Sequence, residues 1–364
     1  MSDFINVAVV GVGNCASALI QGIKYYTIRQ NKGGLIKEYI GKYGIDSIQI
    51  KTAYDIDERK VGKELHKAIY SKPNCTKVFN NIIDKSNVIV KMGNILDSIG
   101  SNMVNENERN SYLISKERES SMEDVINEFK KKKIDVVVNY LPVGSLIATE
   151  FYAMASLKAK AAFVNCIPVF MASSEKWSKK FKAEGVPLIG DDIKSQIGAT
   201  ILHRALTELC ERQGVIITKS YQISTGGNTD FKNMLNRDRI ECKRISKEES
   251  IKSTLSYNRN NALIHAGPAD YIWWKKDSKV CYIELEGMNY GMCDIRINVM
   301  LNVEDSPNSA AVVVDLIRCA AIAKNAGLGG SIIEPSAVYC KRPPKQILDS
   351  KAVEKLDEWI NRYA

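Results

Sequence analysis

The sequence predicts an α/β protein: a doubly wound, mostly parallel sheet followed by a second, α+β domain with an open mixed or antiparallel sheet. Three observations predict it. A glycine loop, Gly11-Val12-Gly13-Asn14-Cys15-Ala16-Ser17, follows an apolar run of strand length, Ile5-Asn6-Val7-Ala8-Val9-Val10, and precedes a helical pattern. Strand, turn and helix then recur as far as about residue 200, as a doubly wound sheet requires. Later, residues 281–286 and 295–303 alternate apolar and polar side chains with period two, which marks antiparallel strands with one face covered.

The glycine loop sets the first domain. A chain that leaves a buried strand, turns on glycine and enters a helix aims free N–H groups and the positive end of the helix dipole at one spot, where a pyrophosphate binds well. Gly11 permits the turn, Gly13 leaves room for phosphate against the backbone, and Ala16 stands where a small residue packs helix on strand. This is the Rossmann pattern. Residues 16–26 continue as a helix, a polar stretch over 29–46 delays the second strand, and residues 48–54 end at Asp55. An acidic residue there holds the adenosine ribose and repels the extra phosphate of NADP, which favours NAD; alternatively, Asp55 caps a helix, since Asp57-Glu58 follow.

Further strands are expected at 88–92, 134–141, 161–167 and 186–189, with helices around 122–133 and 177–181. The turn Asn139-Tyr140-Leu141-Pro142-Val143-Gly144-Ser145 belongs beside the cofactor, at the carboxyl edge of the sheet. Gly190-Asp191-Asp192-Ile193-Lys194-Ser195 packs two carboxylates, a lysine and a serine into one strand-to-helix junction, where Ser195 either helps to seat a phosphate or caps the helix. A strand at 215–224 leads to Thr225-Gly226-Gly227-Asn228-Thr229-Asp230. Asp305-Ser306-Pro307-Asn308-Ser309 is expected to cap an apolar helix over 310–326, and an amphipathic helix ends the chain. The boundaries expected are 1–195 for the nucleotide domain, rejoined by 331–364, and 196–330 for a catalytic and oligomerisation domain.

Composition narrows the function. The chain of 364 residues is 45% hydrophobic and 26% charged, as in ordinary globular proteins. No apolar run is expected to span a membrane, and the nine scattered cysteines form no CxxC pair, so a cytoplasmic protein with reduced thiols and no membrane partner is expected. The net charge of +9 is spread among acids instead of forming a stripe with aromatics, which argues against nucleic acid. His66, His203 and His265 are far apart and read as structural, so a histidine-based dehydrogenase is not advertised.

The least expected pattern is Lys243-Arg244-Ile245-Ser246-Lys247. On a helix Lys243 and Lys247 lie one turn apart, where like charges cost about 0.2–0.5 kcal/mol unless an anion sits between them. Read with the motifs at Gly11, Asn139, Gly190, Gly226 and Asp305, in that order over nearly the whole chain, it resembles the myo-inositol-1-phosphate synthases in their shorter, prokaryotic form. The resemblance implies an isomerase that turns D-glucose 6-phosphate into 1D-myo-inositol 3-phosphate by oxidation at carbon 5, enolisation, intramolecular aldol closure and reduction. NAD is regenerated within the cycle.

The same resemblance implies the site. Its active-site residues fall on Lys243, Lys247, Lys279, Lys341, Asp192, Asp230 and Asp305. Lys243 is expected to transfer the proton of the oxidised hydroxyl, Lys247 with Ser195 and Asn228 to hold phosphate, and Lys279 and Lys341 to hold carbonyl oxygens, the aspartates orienting the lysines. Asp277 is a further candidate. Gly11, Gly13, Asn14, Cys15, Ala16, Ser17, Asp55, Asn139, Leu141, Pro142 and Asp191 are expected at NAD. A homotetramer is implied, whereas a monovalent or divalent cation requirement is left open. The competing readings are an NAD-dependent dehydrogenase of a sugar phosphate or amino-acid precursor, and a non-catalytic NAD- or nucleic-acid-binding regulator.

Overall fold

The computed structural model describes residues 3–29, 31–81, 87–104, 111–256 and 260–364. The apolar runs of the first half form strands β1 (Ile5–Val10), β2 (Ile48–Asp55), β3 (Val90–Met92), β4 (Val136–Asn139), β5 (Ala162–Asn165) and β6 (Pro187–Ile189). Between them run α1 (Asn14–Thr27), α2 (Leu65–Ala68), α3 (Met122–Lys131), α4 (Leu146–Lys158) and α5 (Glu175–Ala183). Local chemistry sets these bounds. At α3, for example, the Asp124 N–H donates to Ser121 Oγ and the Ser121 N–H donates back to the Asp124 carboxylate, a reciprocal cap that starts the helix.

The chain continues through α6 (Ala199–Arg212), β7 (Ile216–Gly226), α7 (Thr229–Asn233), α8 (Glu241–Lys252), β8 (Leu263–Tyr271), β9 (Ser278–Met288) and β10 (Asp294–Glu304). Helix α9 (Asp305–Asn325), β11 (Gly330–Ser331), α10 (Ile333–Tyr339) and α11 (Asp349–Tyr363) complete it. Among the described residues the first sheet has the order β11-β6-β5-β4-β1-β2-β3, with every pair parallel. The strand order reverses between β1 and β4, and the crevice beyond their carboxyl ends is where such sheets bind ligands.

The second sheet, β10-β9-β7-β8, is mixed: β7 and β8 are parallel, the other pairs antiparallel. Its alternation is that of a sheet covered on one face. Cys281, Ile283 and Leu285 are buried in a cluster with Ala199 and Cys210 of α6, while Tyr282 and Met300 are exposed.

Helix α9 departs from the expected domain division. Val313, Leu316, Ile317 and Ala320 are buried in the same core as Val7 and Val9 of β1 and Val136 and Val138 of β4, so α9 covers the parallel sheet. A long apolar helix loses most water contact against the larger sheet face, and the chain leaves the second sheet at Glu304, not at 330. By length and composition alone α9 could also cross a membrane, contrary to the expectation of no such run, but 83% of that stretch is buried inside the protein. Asp305 does not cap it either: Glu304 is the N-cap, and Asp305 lies in the first turn.

Buried charge fastens the polar insertion before β2 onto α9. Arg318, fully buried, donates to the carbonyls of Lys37 (2.7 Å), Glu38 (2.8 Å) and Tyr43 (3.3 Å) and pairs with Asp315, whose other oxygen accepts from Tyr339 Oη at 2.6 Å.

Candidate active site

Gly11 and the Tyr140-Leu141 turn face each other across the crevice where the strand order reverses. Gly11 has φ +91°, and a Cβ there would stand 2.6 Å from the Tyr140 carbonyl oxygen, so only glycine fits. Gly13, the N-cap of α1, differs: its φ of −86° is ordinary, and a Cβ would meet no atom within 4 Å. The space that a side chain would fill lies at the helix N-terminus, whose first N–H groups have no intrahelical acceptor.

Two cavities meet at this loop. The smaller, about 50 Å³, is lined by Gly11, Gly13, Asp55, Lys60, Leu141 and Pro142 among others. Asp55 caps no helix; its Oδ2 accepts from the Val12 N–H at 2.8 Å, its Oδ1 from Ile56 (2.8 Å) and Asp57 (2.9 Å), and buried Lys60 stands 3.5 Å away. The larger cavity, about 190 Å³, shares Gly13, Leu141 and Pro142 with the first and runs from Asn14 and Cys15 to Lys243, Lys247, Lys279 and Lys341.

Each lysine arrives from a different context. Helix α8 carries Lys243 and Lys247 one turn apart, and Lys279 is the second residue of β9. Lys341 follows α10 in a segment whose backbone pairs with 191–193: the Lys341 N–H donates to the Asp192 carbonyl at 2.7 Å, and the Asp191 N–H to that of Arg342 at 2.9 Å. Three lysines have one aspartate each, with Lys243 Nζ 2.7 Å from Asp230, Lys341 Nζ 2.8 Å from Asp192 and Lys279 Nζ 3.0 Å from Asp305.

Electrostatics separates the fourth. Burial alone would raise Asp192 and Asp305, yet Lys341 beside the one and Lys279 beside the other hold both carboxyls below the usual range. Burial likewise works against a charged Lys279, but Asp305 keeps its affinity for the proton above normal. Lys247 has no ion pair among the described residues. Burial, then repulsion from Lys279, Lys243 and Lys341, lowers it to about 7.

Several residues expected at a ligand are engaged by protein partners, although Asn14, Cys15 and Asn228 still line the larger cavity. Asp191 is fully buried, and its oxygens accept from Asn165 Nδ2, from the N–H groups of Met171, Ala172 and Ser173, and from Ser173 Oγ; it shapes that loop and does not reach the crevice. Asn139 is buried between Thr149 and Asn165, and Ser17 faces inward toward Gln21. Ala16 packs in the core, and the Cys15 thiol, pushed up to about 12 by burial, accepts from Ser309 Oγ at 3.6 Å. Asn14 Oδ1 accepts from the N–H groups of Cys75 (2.7 Å) and Thr76 (3.1 Å). Asn228 lines the cavity, but its amide oxygen caps α7 and its Nδ2 donates to Asp277. Lys194 leaves the junction to pair with Asp349.

Other participants lay outside the expected set. Ser246 donates to Asp192 at 2.8 Å; its position three residues after Lys243 on one helix was the available signal. Asp192 itself has φ +57°, a conformation that a non-glycine residue keeps only where its surroundings hold it, as Lys341 and Ser246 do here. Thr76 and Lys60 carry no local signature. Among the described residues no three His, Cys, Asp or Glu side chains are grouped to hold a metal ion. None of the histidines lines the cavity; His203 is buried against Ser220, with its pKa lowered to about 4 by burial.

Fold and site together define a Rossmann-type α/β protein whose glycine-loop crevice opens into a chamber lined by four lysines and three aspartates. Residues 198–306 match the family model of myo-inositol-1-phosphate synthase. The chain is 43% identical to an inositol-3-phosphate synthase of Mycobacterium tuberculosis, with 99% of this chain and 96% of that one covered. It is 41% identical to the inositol-3-phosphate synthase of Corynebacterium glutamicum, with 98% of each covered. In fold it resembles a myo-inositol-1-phosphate synthase-related protein from Thermotoga maritima, at 23% identity, TM-score 0.83 and 98% coverage of both chains. The chain belongs to the myo-inositol-1-phosphate synthase family.

Proposed function

We propose that the chain converts D-glucose 6-phosphate to 1D-myo-inositol 3-phosphate with NAD as a cofactor that is not consumed. The observation that carries this reading is the set of four lysines, three of them charge-paired, in the cavity that begins at the glycine loop. The open space at Gly13 suits a pyrophosphate, with the first turn of α1 beneath it, Asp55 toward the adenosine ribose and Leu141-Pro142 as the opposite wall. NAD, when bound, supplies a hydride acceptor that later returns the hydride.

The side chains do the rest. The Lys243–Asp230 pair moves the proton at the carbon 5 hydroxyl. Lys279 and Lys341, each anchored by an aspartate, meet the oxygens on which negative charge develops. Lys247 with Ser195 holds the phosphate, which supplies the missing counterion; Asn228, already engaged, is left out of that set. The outer edge of β10, unpaired among the described residues, suits association between copies of the chain; a homotetramer is the proposed assembly, and sedimentation analysis tests it.

The deciding experiment supplies purified protein with glucose 6-phosphate and substoichiometric NAD. Inositol phosphate detected by NMR without accumulating NADH is expected. Stoichiometric NADH without inositol phosphate would replace the reading with a dehydrogenase.

Two further outcomes are expected. Lys247 binds phosphate as the cation, so as pH rises through about 7 the free enzyme loses that charge and KM for glucose 6-phosphate climbs, by up to about tenfold per pH unit. Lys247→Met is flat over the same window, and a flat wild-type profile refutes the assignment. Gly13→Val has room and no strained φ, so it folds normally but occupies the phosphate space; NAD affinity falls by about tenfold or more in calorimetric titration.

A further inference from the structure

Asp277 does not line the cavity, yet it touches three parts of the site. It is 1% exposed. Its Oδ1 accepts from Ser306 Oγ at 2.8 Å and Asn228 Nδ2 at 3.1 Å, its Oδ2 accepts from the Ser306 N–H at 3.2 Å, and its backbone carbonyl accepts from the Asp305 N–H at 3.0 Å. Asn228 Nδ2 is also 3.5 Å from the Asp305 carboxylate that holds Lys279. On the far side, Thr76 Oγ1 lies 3.4 Å from Asp277 Oδ2 and 3.1 and 3.2 Å from the carbonyl and side-chain oxygens of Asn14, at the start of α1.

Hydrogen-bond counting orients this chain. Thr76 has one hydroxyl proton, and Asn14 presents two oxygens to it, both nearer than Asp277. While that proton points at Asn14, Thr76 can only accept, so a bond between Thr76 and Asp277 takes its proton from Asp277. Burial, with repulsion from Asp305, raises that carboxyl to about 7, in agreement with the count.

We propose that Asp277, as a neutral acid, is a positioning residue that joins the cofactor loop, through Thr76 and Asn14, to the Asn228–Asp305–Lys279 arm of the site. It touches neither ligand. It keeps Lys279 in register with the first turn of α1, and it rests on the active-site reading given above.

The test compares Asp277→Asn, Asp277→Ala and Thr76→Val with wild type in glucose 6-phosphate turnover and NAD titration. An amide can donate to Thr76 from the Oδ2 position and accept from Ser306 Oγ and Asn228 at Oδ1 as the neutral acid does, giving up only the bond from the Ser306 N–H. Asp277→Asn is therefore expected to keep at least about a tenth of kcat, while Asp277→Ala loses about 100-fold in kcat at saturating substrate. Thr76→Val, which leaves Asp277 in place, weakens NAD several-fold and lowers kcat. A merely structural role would lower stability and leave kcat intact; wild-type kcat in Thr76→Val and Asp277→Ala overturns the proposal, as does Asp277→Asn as inactive as the alanine variant. Should Asp277→Ala not fold, the other two variants decide. If wild type itself makes no inositol phosphate, the functional reading fails instead, and unchanged NAD affinity in Thr76→Val overturns the link independently.

Discussion

Replacing Lys243 with methionine lowers kcat by about 1,000-fold while the protein stays folded and binds NAD as before. Lys243 sits on the cavity wall with its ammonium 2.7 Å from Asp230, and the glycine loop that would hold the cofactor contributes none of that pairing. Methionine keeps the length and apolar stem of lysine but can neither carry nor move a proton. The loss falls on kcat, because the group acts where charge moves and not where the phosphate is held. Rapid-quench measurement of inositol phosphate, with calorimetric NAD titration on the same preparation, separates the two steps. Turnover within tenfold of wild type would remove Lys243 from the centre of the mechanism.

Arg318→Met is expected to cost about 3–5 kcal/mol of stability, the range for breaking a buried ion pair from one side. The carbonyls of Lys37 and Glu38 lose the Arg318 donor at once, that of Tyr43 keeps only the Ile40 N–H among the described residues, and Asp315 is left in the core with Tyr339 as its hydrogen-bond donor. Burial already pushes the Asp315 carboxyl above its ordinary range against the pull of Arg318. Without the arginine it takes up a proton. The double variant Arg318→Met with Asp315→Asn should recover part of the loss, because an amide is neutral without the cost of protonating a carboxyl at neutral pH. Guanidinium unfolding followed by tryptophan fluorescence measures both; a loss below about 1 kcal/mol in the single variant contradicts the argument.

How far the site was legible differs from residue to residue. Gly11 and Gly13 announced themselves, since a strand, two glycines and a helix leave few alternatives for the backbone. Lys243 and Lys247 were visible because helical spacing puts them on one face whatever the rest of the chain does. Asp191 and Asp192 were not separable. Neighbouring side chains in a turn diverge, and only the pairing of 191–193 with the segment carrying Lys341 decides that Asp192 faces the cavity while Asp191 turns into the loop. Asn139 and Ser17 failed for a related reason: a polar residue beside a nucleotide loop serves a buried hydrogen bond as well as a ligand.

The period of apolar residues, the glycine turns and the helical spacing of two lysines are local properties of the chain, and by themselves they determined the parallel sheet, the place of the cofactor loop and the family resemblance. The partners of the lysines depend on contacts between residues as far apart as 192 and 341, or 76 and 277. Tertiary structure alone decided that α9 covers the first sheet, that Lys247 has no carboxylate partner among the described residues, and that Asp277 stands between Thr76 and Asn228 without lining the cavity. The reason is physical. Burial and charge pairing set the protonation of these groups, and both are sums over neighbours brought together by folding, which no short stretch of sequence contains.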